Sequence, residues 1–151
     1  MDLEIVYDKI YRYIFFRFRN RELAEDITQE TFVRYIDARG SLNHPNLRYL
    51  YTIARNLCVD EYRKIQEISI PDGYEKSSGN LEDDIVNGID IRNALLKMDV
   101  DDQELILLRY VNEESVSIIS ELYGCSRFAM YRRLNRIERK LQRILEGNDD
   151  E

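Results

Sequence analysis

The stretch from Ser115 to Arg143 constrains this chain more than any other, because it reads as a short helix, a forced turn and a strongly basic second helix. Ser115 is placed to cap a helix whose apolar positions Val116, Ile119, Leu122 and Tyr123 keep helical spacing. Gly124 stands where that helix must end in left-handed backbone, which glycine alone adopts without a steric penalty. Ser126 is placed to cap the next helix. Along it Met130, Leu134, Ile137, Leu141 and Ile144 recur at steps of four, three, four and three, an apolar stripe that faces a core. Arg132, Arg136, Arg139 and Arg143 recur two residues out of phase, about 200° around the helix, so they point away from that core. Between Ser126 and Arg143 seven Lys or Arg stand against one acid, Glu138. An isolated basic stripe reads as a solvated face of a bundle. Joined to the cap, the glycine turn and the short preceding helix, it reads as a side-chain array for the DNA major groove.

A net charge of −7 opposes that reading until the chain is divided. Residues 1–66 carry +1 and 91–145 carry +2, whereas 67–90 carry −6 and 146–151 carry −4. The acidity is confined to a middle segment and a tail, and both flanking blocks are mildly basic. Cys58 and Cys125 fall in or beside helical stretches without metal-ligand spacing, so both are expected to be reduced packing residues. The chain opens on an acidic amphipathic segment rather than a signal peptide, and no apolar stretch approaches the ~18 residues that span a bilayer. A soluble, cytoplasmic chain without membrane insertion is expected.

The spacing predicts a first helix over 2–19, with Leu3, Val6, Tyr7, Ile10, Tyr13, Ile14 and Phe18 on one face and Asn20 at its end. A second helix is predicted over 21–38, with Leu23, Ile27, Phe32, Tyr35 and Ile36 inward. Arg39, Gly40 and Ser41 break it, and 43–46 form a loop by turn chemistry. A third helix follows over 47–66, burying Leu47, Leu50, Ala54, Leu57 and Cys58. Periodicity is lost over 67–84 and resumes near Ile85, with Asp99 or Asp101 placed to cap a helix through Leu105. No strand-like alternation occurs. The expected fold is all-α: two small helical domains, 1–66 and 88–145, joined by an acidic flexible linker, 67–87, and followed by an acidic tail, 146–151.

Three segments resemble a known family. The run from Asp26 through Gln29 and Glu30 to Phe32 looks like the Asp-x-x-Gln-Glu-x-Phe core of sigma region 2. Tyr49 to Asp60 is similar to the helix that follows it in extracytoplasmic-function (ECF) sigma factors of the sigma-70 family. Leu107 to Tyr110 and the helix-turn-helix resemble sigma region 4. The resemblance covers 3–66 and 90–145. It implies a non-enzymatic subunit that binds core RNA polymerase, at its clamp helices and flap, and directs it to promoters for transcription initiation.

By that resemblance Asp26, Gln29, Glu30 and Phe32 meet the clamp helices; Phe32 alone reads equally well as core. The loop 39–48 and the next helix correspond to the minus-ten reader, where a melted strand needs polar edge contacts, stacking rings and cations. Asn43, Arg48, Tyr49, Tyr51, Arg55, Asn56 and Arg63 supply them. Tyr49 stands where many members have Trp, as a weaker wedge or as core. Asp60 orients neighbouring polar groups, and His44, the only histidine, reads as a solvated loop residue. In the minus-thirty-five reader, Arg127, Tyr131, Arg132, Asn135 and Arg136 lie in or beside the duplex groove, where Arg pairs with guanine and Asn with adenine. Ser126 and Phe128 open that helix, and Phe128 either contacts a thymine methyl or packs beneath the turn. Arg139, Lys140 and Arg143 touch phosphate or polymerase. Ser120 stands where the family usually has Ala and is small enough to keep the helices close. The family also implies an anti-sigma factor, which no residue here identifies.

An enzyme fits poorly: one His, two unpaired Cys, no glycine-rich phosphate loop, no metal cluster, and adjacent acid pairs that diverge on a helix. No cofactor, metal or small-molecule substrate is expected. The serious alternative is a sigma-like helix-turn-helix regulator that binds DNA without initiating transcription, and a third reading is a helical adaptor whose basic stripe meets an acidic protein. The linker charge suggests that 67–90 thread a basic channel of the polymerase in place of RNA.

Overall fold

The computed structural model describes residues 2–67 and 89–147, and these divide between two compact units. Residues 68–88 and 148–151, which hold nearly all of the expected linker and most of the tail, lie outside the described residues. Helix and turn make up the described part, with no strand.

The first unit is built from α1 (Leu3–Phe18), α2 (Arg21–Arg39) and α3 (Leu47–Glu67), each packed on the other two. Asp2 caps α1 by accepting from the Glu4 amide at 3.1 Å. Arg19, in left-handed backbone at φ 53°, ends it. Asn20 therefore starts α2 instead of closing α1: its side-chain oxygen accepts from the Leu23 amide at 2.9 Å. Gly40, at φ 91°, ends α2. The core comprises Val6, Ile10, Tyr13 and Ile14, then Ala24, Ile27, Phe32 and Tyr35, then Leu47, Leu50, Tyr51, Ala54 and Cys58. Two expected core residues, Leu3 and Ile36, are exposed, while Thr28 and Thr31 are wholly buried. Each threonine hydroxyl donates to the carbonyl four residues back, Ala24 at 2.6 Å and Ile27 at 2.8 Å, so burial leaves neither hydroxyl unsatisfied.

The second unit holds α4 (Ile89–Leu96), α5 (Val100–Ile106), α6 (Val116–Tyr123) and α7 (Arg127–Leu145). Asp99 occupies the N-cap position of α5 but its side chain makes no capping bond. The helix through Leu105 does not run on as α-helix. It widens into a π turn over Leu107–Val111, in which the Asn112 amide reaches back five residues to the Leu107 carbonyl at 2.9 Å. Arg109 then binds the Glu114 carbonyl at 3.0 Å, which fixes the chain entering α6. Leu105, Leu108, Val116, Ile119, Met130, Leu134 and Ile137 form the core, together with Ala94 of α4 and Met98 just after it.

Candidate nucleic-acid and polymerase interfaces

The second unit presents the basic helix as its sequence predicts. Ser115 accepts from the Ile118 amide at 3.1 Å, Gly124 takes φ 69°, and Ser126 accepts from the Ala129 amide at 3.0 Å. The Cys125 amide donates to the Ser120 carbonyl at 3.0 Å, closing the turn. Ser126 thus serves first as the cap that starts α7. With Met130, Leu134 and Ile137 buried, the opposite pole of α7 carries Phe128, Tyr131, Arg132, Asn135, Arg136 and Arg139, all exposed. Arg127, at its first position, is exposed too. The candidate duplex contacts are therefore all exposed, with Phe128, Arg132 and Asn135 closest to the pole opposite the core and Arg127 and Arg136 on opposite flanks of the helix. Ser120 is buried, and its hydroxyl donates to the Ser117 carbonyl at 3.0 Å, which accommodates it between helices. Cys125 corrects an expectation: it is exposed in the turn, because the closing bonds use its backbone and leave its thiol outside the core. Phe128 is 72 % exposed, which excludes packing beneath the turn.

Arg133 is the exception on this helix. Its Nη2 lies 3.2 Å from Asp102 Oδ1, and its guanidinium sits 5.7 Å from the Tyr123 ring centre. One side chain thereby ties α7 to both α5 and α6. Beside it a cavity of about 520 Å³ is lined by Asp99, Asp102, Arg133, Arg136, Lys140 and Arg143, together with Ile137.

In the first unit, Asp26, Gln29 and Glu30 are exposed on α2, and Glu30 accepts from Arg34 Nε at 2.9 Å. Phe32 does not join them. It is 8 % exposed and stacks on Tyr7 at 5.5 Å, since it falls on the inward side of α2 with Thr28 and Tyr35. The Tyr7 hydroxyl is held above its ordinary pKa, first by burial, then by Glu25, Tyr11 and Asp8. Among the minus-ten candidates, Tyr51 is the other correction. It is 0 % exposed, edge-on to Tyr13 at 5.4 Å, so its ring belongs to the core and offers no stacking surface. Asn43, Asn56 and Arg63 are exposed, and Arg48, Tyr49 and Arg55 are half-buried. The loop is braced from within: the Asn46 amide donates to the Tyr35 hydroxyl at 2.8 Å, and Asn46 Oδ1 accepts from the Tyr49 amide at 3.0 Å. Tyr49 packs edge-on to Tyr35 at 5.6 Å. His44, at φ 53°, turns the loop and is exposed. Asp60 lies 3.9 Å from Arg63, an exposed pair of small energetic weight.

Known proteins share this chain's sequence along most of its length. Residues 3–68 match the family described as Sigma-70 region 2, and 89–141 match Sigma-70, region 4. The ECF RNA polymerase sigma factor EcfG of Rhodopseudomonas palustris is 31% identical over 144 residues, covering 87% of this chain and 77% of the relative. The chain belongs to the ECF sigma factors. RNA polymerase sigma factor YlaC of Bacillus subtilis is 28% identical over 156 residues, 96% of this chain and 90% of that one. In fold, this ECF sigma factor is similar to RpoE in its complex with the anti-sigma factor NepR from Bartonella quintana, with a TM-score of 0.67 at 19% identity over 95% of this chain and 94% of that chain.

Three features of this sigma factor escape a reading of its motifs. Val33, 51 % exposed, and Ile36 continue the line of Glu22, Asp26 and Gln29 along α2. Its mark in the sequence is a second stripe at steps of four, three, four and three, on the side of α2 away from the core. Arg39, at the end of α2, lies 5.1 Å from the Tyr49 ring centre and 6.0 Å from that of Tyr35, pairing a cation with the candidate wedge. In the sequence Arg133 is one more member of the basic run, and no local signal marks its partner 31 residues away.

Proposed function

We propose that this chain binds core RNA polymerase through α2 and directs it to promoters, with α3 and its preceding loop on the melted minus-ten strand and α7 on the minus-thirty-five duplex. The observation that carries the reading is that a region 2 surface and a region 4 helix-turn-helix occur in one chain of the family. Sigma factors are non-catalytic initiation factors, so its work is binding. On α2, the exposed stripe of Glu22, Asp26, Gln29, Val33 and Ile36 offers acids, an amide and apolar contact to a basic, partly apolar partner helix. On α3, Arg48, Tyr49, Asn56 and Arg63, with Asn43 from the preceding loop, offer a ring, amides and cations to single-stranded DNA. On α7, Arg127, Tyr131, Arg132, Asn135 and Arg136 face the groove, and Arg139, Lys140 and Arg143 extend the cationic face along phosphate. Among the described residues no helix is long and apolar enough to cross a membrane, consistent with work in the cytoplasm beside the polymerase. The fold neighbour's anti-sigma complex supports an anti-sigma factor as a further partner.

The deciding experiment is in vitro transcription on sheared genomic DNA of the source organism, by core polymerase with and without this chain, with the RNA starts sequenced. New discrete starts sharing two upstream elements are expected. Duplex binding without new starts would replace this reading with that of a non-initiating regulator.

A further inference from the structure

Phe128 is the most exposed of the large apolar side chains in the described structure, and it stands on the most basic helix. Its place there is fixed. Ser126 caps the helix, and Met130 is buried with Ile119 in the core while Phe128 stays outside it. Viewed down α7, Phe128 lies on the pole opposite Met130, Leu134 and Ile137, in line with Arg132, Asn135 and Arg139. The pole opposite the core is what a recognition helix pushes deepest into the major groove, and its N-terminal residues reach the base edges. Four residues on, the Arg132 guanidinium rests 5.3 Å from the Phe128 ring centre. The ring holds one face of that guanidinium and leaves its N–H edge free for guanine O6 and N7.

We infer that Phe128 is a specificity-determining residue which, with Arg132, reads a thymine followed by a guanine in the upstream duplex element. The ring contacts the thymine C5-methyl, while Arg132 pairs with the neighbouring guanine. Thymine is the base that offers an apolar group in the major groove, and an unsatisfied aromatic edge beside a cation suits that step. The inference rests on the reading of α7 as the duplex-binding helix.

The test selects bound sequences from two random duplex pools, one made with thymine and one with deoxyuridine, using core polymerase carrying the full chain or its Phe128→Ala variant. Deoxyuridine keeps every hydrogen-bonding group and removes only the methyl. With the wild-type chain, the upstream motif should contain a thymine–guanine step whose thymine preference drops about fourfold in the deoxyuridine pool, the worth of one buried methyl-sized group. With Phe128→Ala, the thymine preference should vanish while the other positions of the motif persist. An identical motif from both pools, or thymine preference retained by the variant, overturns the role of Phe128 and leaves the duplex reading standing. Absence of any upstream motif with the wild-type chain overturns both.

Discussion

Replacing Arg136 and Arg133 by alanine, one at a time, should have opposite signatures although the two lie three residues apart on α7. Arg127, Arg132, Arg136, Arg139, Lys140 and Arg143 have no carboxylate partner among the described residues, so each is available to phosphate. If all six met phosphate, log affinity for duplex would fall with log salt at a slope of about −5, and removing Arg136 would make it shallower by about 0.9. Between roughly 50 and 200 mM salt, the wild type's advantage over Arg136→Ala should then shrink by about 3.5-fold. Arg133 has no charge to spare, being paired at 3.2 Å with Asp102, the two side chains 31% and 16% exposed. Arg133→Ala should leave the slope unchanged and instead cost about 1–2 kcal/mol of stability, because it strands a largely buried carboxylate and removes the brace on Tyr123. For a unit this small, that lowers its melting midpoint by roughly 4–8 °C per kcal/mol. Fluorescence anisotropy of a promoter duplex across a salt series, with calorimetry of the same variants, measures both. Equal flattening by the two variants, or none by Arg136→Ala, refutes the division of α7 into a tied and a free set of cations.

Tyr51→Ala should cost about 3–5 kcal/mol in urea unfolding, as loss of a fully buried ring does, whereas Tyr49→Ala should spare most of the stability and slow promoter opening in a permanganate footprint. Selective loss of opening with intact stability in Tyr51→Ala would return that ring to the DNA surface. Gly124→Ala should cost about 1–2 kcal/mol from backbone strain alone, since a Cβ there meets nothing within 4 Å, and Gly124→Asn should recover much of it on the same melting curve. Val33→Asp should weaken core polymerase binding by at least about tenfold while changing stability by less than ~0.5 kcal/mol; undiminished affinity in a titration would remove Val33 from the interface.

Several elements were legible because their causes are local. The caps at Ser115 and Ser126 and the left-handed Gly124 depend on one side chain and its next few amides, so residue type and spacing specify them. The buried stripe of α7 follows from helical period alone. Phe32 reads both ways from sequence and Tyr51 reads as a binding residue, because these residue types suit both a core and a binding face. Only the packing of Tyr7 and Tyr13 against them, from α1, resolves that choice. Ile36 was misread for the converse reason, as an apolar residue assigned inward that lies on an outward stripe. The π turn at Leu107–Val111 carries no sequence mark, because its wider hydrogen bonding answers to what the turn must pack against.

The sequence by itself determined the all-helical class, the start and end of the helix-turn-helix, and the sign of charge on its outer face. Propensity, capping and periodicity act over a few residues and need no distant partner. Tertiary structure alone decided which aromatics are core and which are surface, and which arginine of a basic run is already neutralised. Those outcomes depend on residues such as Tyr13 and Asp102 that lie tens of positions away and approach only when the helices pack.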